Sequence, residues 1–150
     1  MGTVYTIGFT RKPAATFFGL LKRAGVRTVI DTRVNNISQL AGFSKREDLR
    51  YFLEAICNID YVESKDLAPE KNILKRYQQK ELTWEAYAAE YTNGLARKNA
   101  ERLVDPAIVD QGCLLCSEHF PHHCHRRLAA EYLQAHWGKT FEIRHLVDLE

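Results

Sequence analysis

No run in this chain approaches the roughly 18 consecutive apolar residues that a membrane-spanning helix needs. Nor does the stretch from Met1 to Phe9 join a basic region to a long apolar one, so no export signal is visible there. The expectation is a soluble, cytoplasmic protein with no membrane partner. A Gly-x-Gly-x-x-Gly fingerprint and a Walker-type phosphate loop are both missing, which leaves nicotinamide and ATP chemistry without local support. Charge of one sign is lacking too. The 21 Lys and Arg stand against 19 Asp and Glu, and a formal net charge of +2 is too small to establish a nucleic-acid partner, although local basic patches can still form. Internal repeats, low-complexity tracts and Pro/Gly/Ser linkers are absent. The four cysteines follow no repeating framework, and in a domain large enough to hold itself together they point to reduced thiols in a cytosolic compartment.

What is present fits one domain spanning residues 1–150, since 150 residues at 45% hydrophobic content build a single core and are too few for two. Thr3 to Phe9 reads as a first strand. Pro13 then starts a helix with Phe17, Leu20, Leu21 and Ala24 at helical spacing, and Gly25 closes it. Arg27 to Thr32 reads as a second, buried strand, and Arg33 to Gly42 as a polar loop. Ser44-Lys45-Arg46-Glu47 has the form of a capping box, opening a helix that buries Leu49, Phe52, Leu53 and Ile56. A short strand from Asp60 to Glu63 follows, then a break at Asp66 to Pro69 and a helix from Glu70 to Gln79. Thr83 caps a long helix whose stripe of Trp84, Tyr87, Ala88, Tyr91 and Leu95 reads as core. Cys113 to Cys116 is a buried strand, a helix begins near His123 or Cys124, and a last strand runs from Phe141 to Leu146. This alternation predicts an α/β fold: a three-layer, mostly parallel open sheet with helices on both faces, Rossmann- or flavodoxin-like, because parallel neighbours need crossover connections.

The segment from Cys113 to Arg127 holds three of the four cysteines and four of the six histidines. It spans a junction from strand to helix, where open α/β sheets bind their ligands. If the strands run parallel, the polar groups after each of them converge on one edge: Thr10 after the first, Asp31 and Arg33 at the second, Cys116 and Glu118 at the cysteine strand. The expectation is one common cavity holding Cys116, Glu118, Arg33, Asp31 and Arg126. The plainer alternatives are that Asp31 and Arg33 form a structural salt bridge and that Thr10 and Ser117 are caps.

Cys116 faces the positive end of the next helix, and Arg33, His125 and Arg126 can stabilise its thiolate, the reactive form of cysteine. It is the nucleophile candidate, weighed against an inert buried thiol. Glu118 suits a general base, and Arg33 and Arg126 suit bidentate binding of carboxylate or phosphate. A Cys-x5-Arg loop does not fit, because the sixth residue after Cys116 is His122 and after Cys124 is Ala130.

The combination of TIGF, VIDTR, a GFSK segment before a helix, LLCSE and a CHR triplet resembles the domain-of-unknown-function family 488 over essentially the whole chain. The resemblance implies a small α/β domain and a site location but no reaction. It carries onto Gly8, Asp31, Arg33, Phe43, Lys45, Cys116, Glu118, Cys124, His125 and Arg126. Leu67-Ala68-Pro69 stands where relatives carry a Leu-Gly-Gly turn, so a ligand approach through those glycines is not expected here. The candidate catalytic set is therefore Cys116, Glu118, His125 and Asp31, and the candidate substrate-binding set is Thr10, Arg33, Lys45, Cys124 and Arg126. The favoured reading is a cysteine-dependent hydrolase or transferase acting on a small anionic or nucleotide-like molecule.

Two other readings use the same residues. Cys113, Cys116, Cys124 and His125 offer zinc ligands, but a strand points Cys113 and Cys116 to opposite faces, and a set of Cys116, Cys124 and His119, His122 or His123 is the remaining geometry. No metal or other cofactor is assigned. A nucleotide- or nucleic-acid-binding module without catalysis would line Arg11, Lys12, Arg33, Lys45, Arg46, Arg126 and Arg127 along a rim, with Phe9, Phe43 and Phe120 for stacking.

Overall fold

The structure is a computed structural model that describes residues 2–10, 12–34, 43, 45–116, 123–138 and 140–147. Five strands form one all-parallel sheet in the order β3-β2-β4-β1-β5. They are β1 Gly2–Gly8, β2 Thr28–Asp31, β3 Asp60–Glu63, β4 Gly112–Cys116 and β5 Phe141–Leu146. The inner strands read as apolar runs because both of their faces are covered. Alternate residues of β1 and β4 enter different cores. Tyr5, Ile7, Cys113 and Leu115 meet α1 (Ala14–Ala24) through Phe17, Phe18 and Leu21, and meet α2 (Arg46–Phe52) through Leu49. Val4 and Leu114 meet α7 (His125–Trp137) through Ala129, Ala130 and Leu133. Tyr91 and Leu95 of α4 (Trp84–Arg97) complete that second core.

The expected three-layer α/β architecture is thus the observed one, and α3 (Lys71–Gln78) and α4 lie where the periodicity puts them. Thr83 caps α4, its Oγ1 accepting from the Ala86 amide at 3.1 Å. Two single-turn helices, α5 (Ala100–Leu103) and α6 (Pro106–Val109), precede β4 and were not expected. The second is legible in retrospect, since Asp105 caps it and Pro106 occupies its first position. Gly112 follows because nothing larger fits: a Cβ there would lie 2.6 Å from the Ile108 carbonyl oxygen.

The expected capping box rests on Ser44, which lies outside the described residues; Lys45 occupies the position before α2, and among the described residues no side chain caps that helix. Beyond Phe52 the helix widens into a π-type turn over Leu53–Cys57. Each residue of a wider turn rotates less, so Ile56 falls off the buried face and is 49% exposed, against the expectation.

Connections decide where a site can lie. From β1 the chain crosses β4 by way of α1 to reach β2, and from β4 it crosses β1 by way of α7 to reach β5 on the other side. The two crossovers leave in opposite directions over opposite faces, so a crevice opens between the carboxyl ends of β1 and β4, where Gly8 and Cys116 are register partners. Among the described residues no helix is long and apolar enough to cross a membrane.

Candidate functional site

Four of the residues singled out from the sequence gather at that crevice. Cys116 ends β4, Cys124 sits at the N-cap of α7, and His125 and Arg126 form its first turn. The helix is pinned there by a stitch through Thr32. The Thr32 amide and hydroxyl both donate to the Leu115 carbonyl, at 3.0 and 2.7 Å. With its hydrogen so used, the Thr32 hydroxyl accepts from His125 Nε2 at 3.0 Å, and the Thr32 carbonyl accepts from the same nitrogen at 2.8 Å. The hydrogen of His125 therefore sits on Nε2. Burial holds its pKa down at about 4, the nearby Arg126 charge adds to this, and the Thr32 carbonyl and Asp31 oppose it. At neutral pH His125 is an uncharged positioning group that ties β2, β4 and α7 together, and not a cation beside a thiolate.

Arg126 is, among the described residues, the largest fully buried side chain. Its Nη1 donates to Cys116 Sγ at 3.3 Å and its Nε to Thr6 Oγ1 at 3.2 Å. The Thr6 hydroxyl is also hydrogen-bonded to Nδ1 of its register partner His145. A guanidinium withdrawn from water needs such a set of acceptors, because an uncompensated buried charge is strongly destabilising. Thr6 and His145 were not singled out from the sequence. The signal for Thr6 was a hydroxyl inside a strand with both faces covered, where a polar group must find a partner.

The sulfurs of Cys116 and Cys124 are joined as a disulfide across eight residues of sequence. Four reduced thiols were expected. The structure leaves Cys57 and Cys113 free and pairs the other two, because the stitch through Thr32 brings the end of β4 against the start of α7. Cys113 does lie on the opposite face from Cys116, in the α1 core, where burial pushes its thiol well above the ordinary range. Burial likewise raises the Cys57 thiol.

Asp31 and Arg33 share the carboxyl edge of the sheet with Cys116 but belong to a different group. Arg33 Nε and Nη2 donate to the two oxygens of Asp31 at 2.9 and 2.8 Å, and the Arg33 amide donates to Asp31 at 3.1 Å. The Tyr61 hydroxyl, another residue not foreseen, also donates to Asp31; burial foremost, and then that bond, push its pKa up. The guanidinium lies 5.4 Å over the ring of Phe9. Among the described residues, the cavity that Asp31 and Arg33 line is walled by β3 and the start of α3, and neither Cys116 nor Arg126 is part of it. The single composite cavity expected from the sequence is two sites on one edge.

Other expected participants are dispersed. Thr10 and Lys45 are exposed, the latter just before α2. Glu118, Ser117, His119, Phe120 and His122 lie outside the described residues, as does Arg11. The basic rim drawn for a nucleic acid breaks up: Lys12, Arg33 and Arg126 are buried, Arg46 pairs with Glu47 and Glu63, and Arg127 with Glu131. Phe9 and Phe43 pack in the core beside Phe17 and Phe18 rather than standing free for stacking. The ring of His123 stacks on Trp84 at 4.9 Å. Among the described residues no group of three or more His, Cys, Asp or Glu is placed to hold a metal ion.

No curated protein and no solved structure matches this chain. The family described as domain of unknown function DUF488 does, over residues 13–133, a span from the start of α1 into α7 that takes in Asp31, Arg33 and the junction from Cys116 to Arg126. The chain belongs to that family.

Proposed function

We propose that this protein is a small cysteine-dependent enzyme of the hydrolase or transferase kind, with Cys116 as nucleophile and an anionic, nucleotide-like molecule as substrate. The observation that carries the reading is the fully buried Arg126 guanidinium, 3.3 Å from Cys116 Sγ in the crevice between β1 and β4. A cation at that distance favours a thiolate over a thiol, and the N-terminus of α7 adds positive potential in the same place. Thr6 and His145 hold Arg126, and Thr32 and His125 hold the start of α7, so the cation and the sulfur are fixed before substrate arrives.

Cys116 acts after its bond to Cys124 has been reduced. A thiol reductant supplies two electrons, its own two thiols ending as a disulfide while each protein sulfur takes up a proton. Cys116 then releases its proton, and the thiolate attacks the electrophilic atom of the substrate. A bond from sulfur forms as the bond to the leaving group breaks, and the leaving group departs with the electron pair. Water, or a second nucleophile in the transferase case, then breaks the bond to sulfur and restores the thiolate.

Iodoacetamide labelling of the reduced full-length protein at pH 7, read residue by residue, tests this. Cys116 should label first, with an apparent pKa below the roughly 8.5 of a free thiol, and Arg126→Met should slow that labelling severalfold. Labelling of Cys57 ahead of Cys116, or the same Cys116 rate in Arg126→Met, would remove the nucleophile role.

A further inference from the structure

On the other side of the sheet edge, a cavity of about 400 Å³ is bounded by the ends of β2 and β3 and the start of α3. The charged residues that line it are Asp31, Arg33, Arg46, Glu63, Lys65, Glu70 and Lys71. Each acid is already engaged. Asp31 binds Arg33, Glu63 binds Arg46 at 3.5 Å and Glu70 binds Arg97 at 3.9 Å. The cations are not used up in the same way. Lys65 and Lys71 are exposed and, among the described residues, take part in no ion pair.

Arg33 is the decisive group. Its side chain is 2% exposed, and Nε and Nη2 form the edge turned to Asp31. The opposite edge of a planar guanidinium ends in Nη1, which is buried and, among the described residues, has no hydrogen-bond partner. A buried charged donor left without an acceptor is destabilising, so such a group calls for an acceptor that the described residues do not supply. The start of α3 lies on the same cavity through Glu70 and Lys71; the Glu70 side chain does not cap the helix, and Asn72 Oδ1 takes the Ile73 amide at 2.9 Å, which leaves the Lys71 and Asn72 amides. Its first amides and its dipole favour an anion there.

We propose that this cavity binds the phosphate group of a small phosphorylated ligand, with Arg33 Nη1 as the buried donor and Lys65, Lys71 and the first turn of α3 completing the site. A phosphate is preferred over a carboxylate because the donors come from three elements around the cavity, Arg33 after β2, Lys65 after β3 and Lys71 at the start of α3, and a tetrahedral group with three free oxygens can serve all three where a planar one with two cannot. The inference does not require Cys116 to react. Thr32 faces the stitch to His125 and Arg33 faces the cavity, so consecutive residues of β2's end serve the two sites.

Titration of the full-length protein with inorganic phosphate at constant ionic strength, followed by nitrogen-edited NMR, tests it. The Arg33 guanidinium and the Lys71 and Asn72 amides should shift together and saturate, with Kd on the order of 1–10 mM for the bare ion. Lys71→Gln and Lys65→Gln, at exposed positions, should each weaken binding about two- to fivefold without moving Tm. Cys116→Ser should bind phosphate like the unaltered protein, so loss of the thiol reading leaves this one standing. Absence of saturable shifts up to about 50 mM, shifts confined to the crevice of β1 and β4, unchanged binding in both lysine variants, or acetate binding as tightly as phosphate would each overturn the proposal.

Discussion

Acidification isolates His125. Its folded-state pKa is depressed from 6.5 to about 4, chiefly by burial, so between those values the unfolded chain binds a proton that the folded chain refuses. Stability contributed by the neutral ring is complete above pH 6.5 and is lost progressively as pH falls towards 4. Each pH unit inside that window is worth about 1.4 kcal/mol, which makes the full loss about 3 kcal/mol. The residue is only 8% exposed, so solvent does little to reduce the figure. Against the 5–15 kcal/mol that typically holds a domain together, such a loss is large.

Carboxylates titrate in the same range, and His125→Gln removes their contribution from the comparison. Glutamine keeps an N–H donor for the Thr32 carbonyl and has no proton to gain. Urea denaturation of both proteins at pH 7 and pH 4.5 should show the unaltered chain losing about 2–3 kcal/mol more than the variant over that interval. Parallel losses in the two proteins would show that His125 is protonated without penalty, and the stitch from β2 to α7 would then not be what holds the ring neutral.

The ion pair and the tightest glycine give two further expectations. Asp31→Asn leaves the buried Arg33 charge without its counterion and should cost about 3–5 kcal/mol, while the double variant with Arg33→Met should lose clearly less than the sum of the two single changes. Additive losses in that urea-melt cycle would mean the two side chains are energetically independent. Gly112→Ala places a methyl 2.6 Å from the Ile108 carbonyl oxygen, and calorimetry should find a loss of about 1–3 kcal/mol; an unchanged Tm would show that α6 can move away from β4 freely.

The fold was legible where a local rule had no competitor. Strands β1, β2 and β4 are largely apolar runs bounded by turn residues, β5 holds Phe141, Ile143 and Leu146 among Glu142, Arg144 and His145, and α1, α4 and α7 carry apolar stripes at helical spacing. Two short helices escaped notice because a single turn holds no period to detect. An α-helical period puts Ile56 on the buried face, but the residues around it form a wider turn that exposes it, a change that no propensity rule announces. The order β3-β2-β4-β1-β5 is likewise a property of which strands pair, and each strand's own residues say nothing about it.

That last gap is why one site was expected where two are found. The sequence puts Asp31, Arg33, Cys116 and Arg126 at the carboxyl ends of strands, and all of them do lie at that edge. Which side of the sheet each serves depends on register. Asp31 pairs with Leu115, so it shares the α1 face and stands opposite Cys116, one residue further along β4. Thr6 pairs with Leu114, two residues before Cys116, and so lies on the α7 face with it. Arg126, rising from the start of α7, therefore meets Thr6 and Cys116 and leaves Asp31 to Arg33. A shift of one residue in the pairing of β2 with β4 would have turned Asp31 to the α7 face, where Cys116 and Arg126 lie. The parity of two strands, invisible until they are laid side by side, is what keeps a cation next to Cys116 and leaves a half-satisfied guanidinium beside the cavity at the ends of β2 and β3.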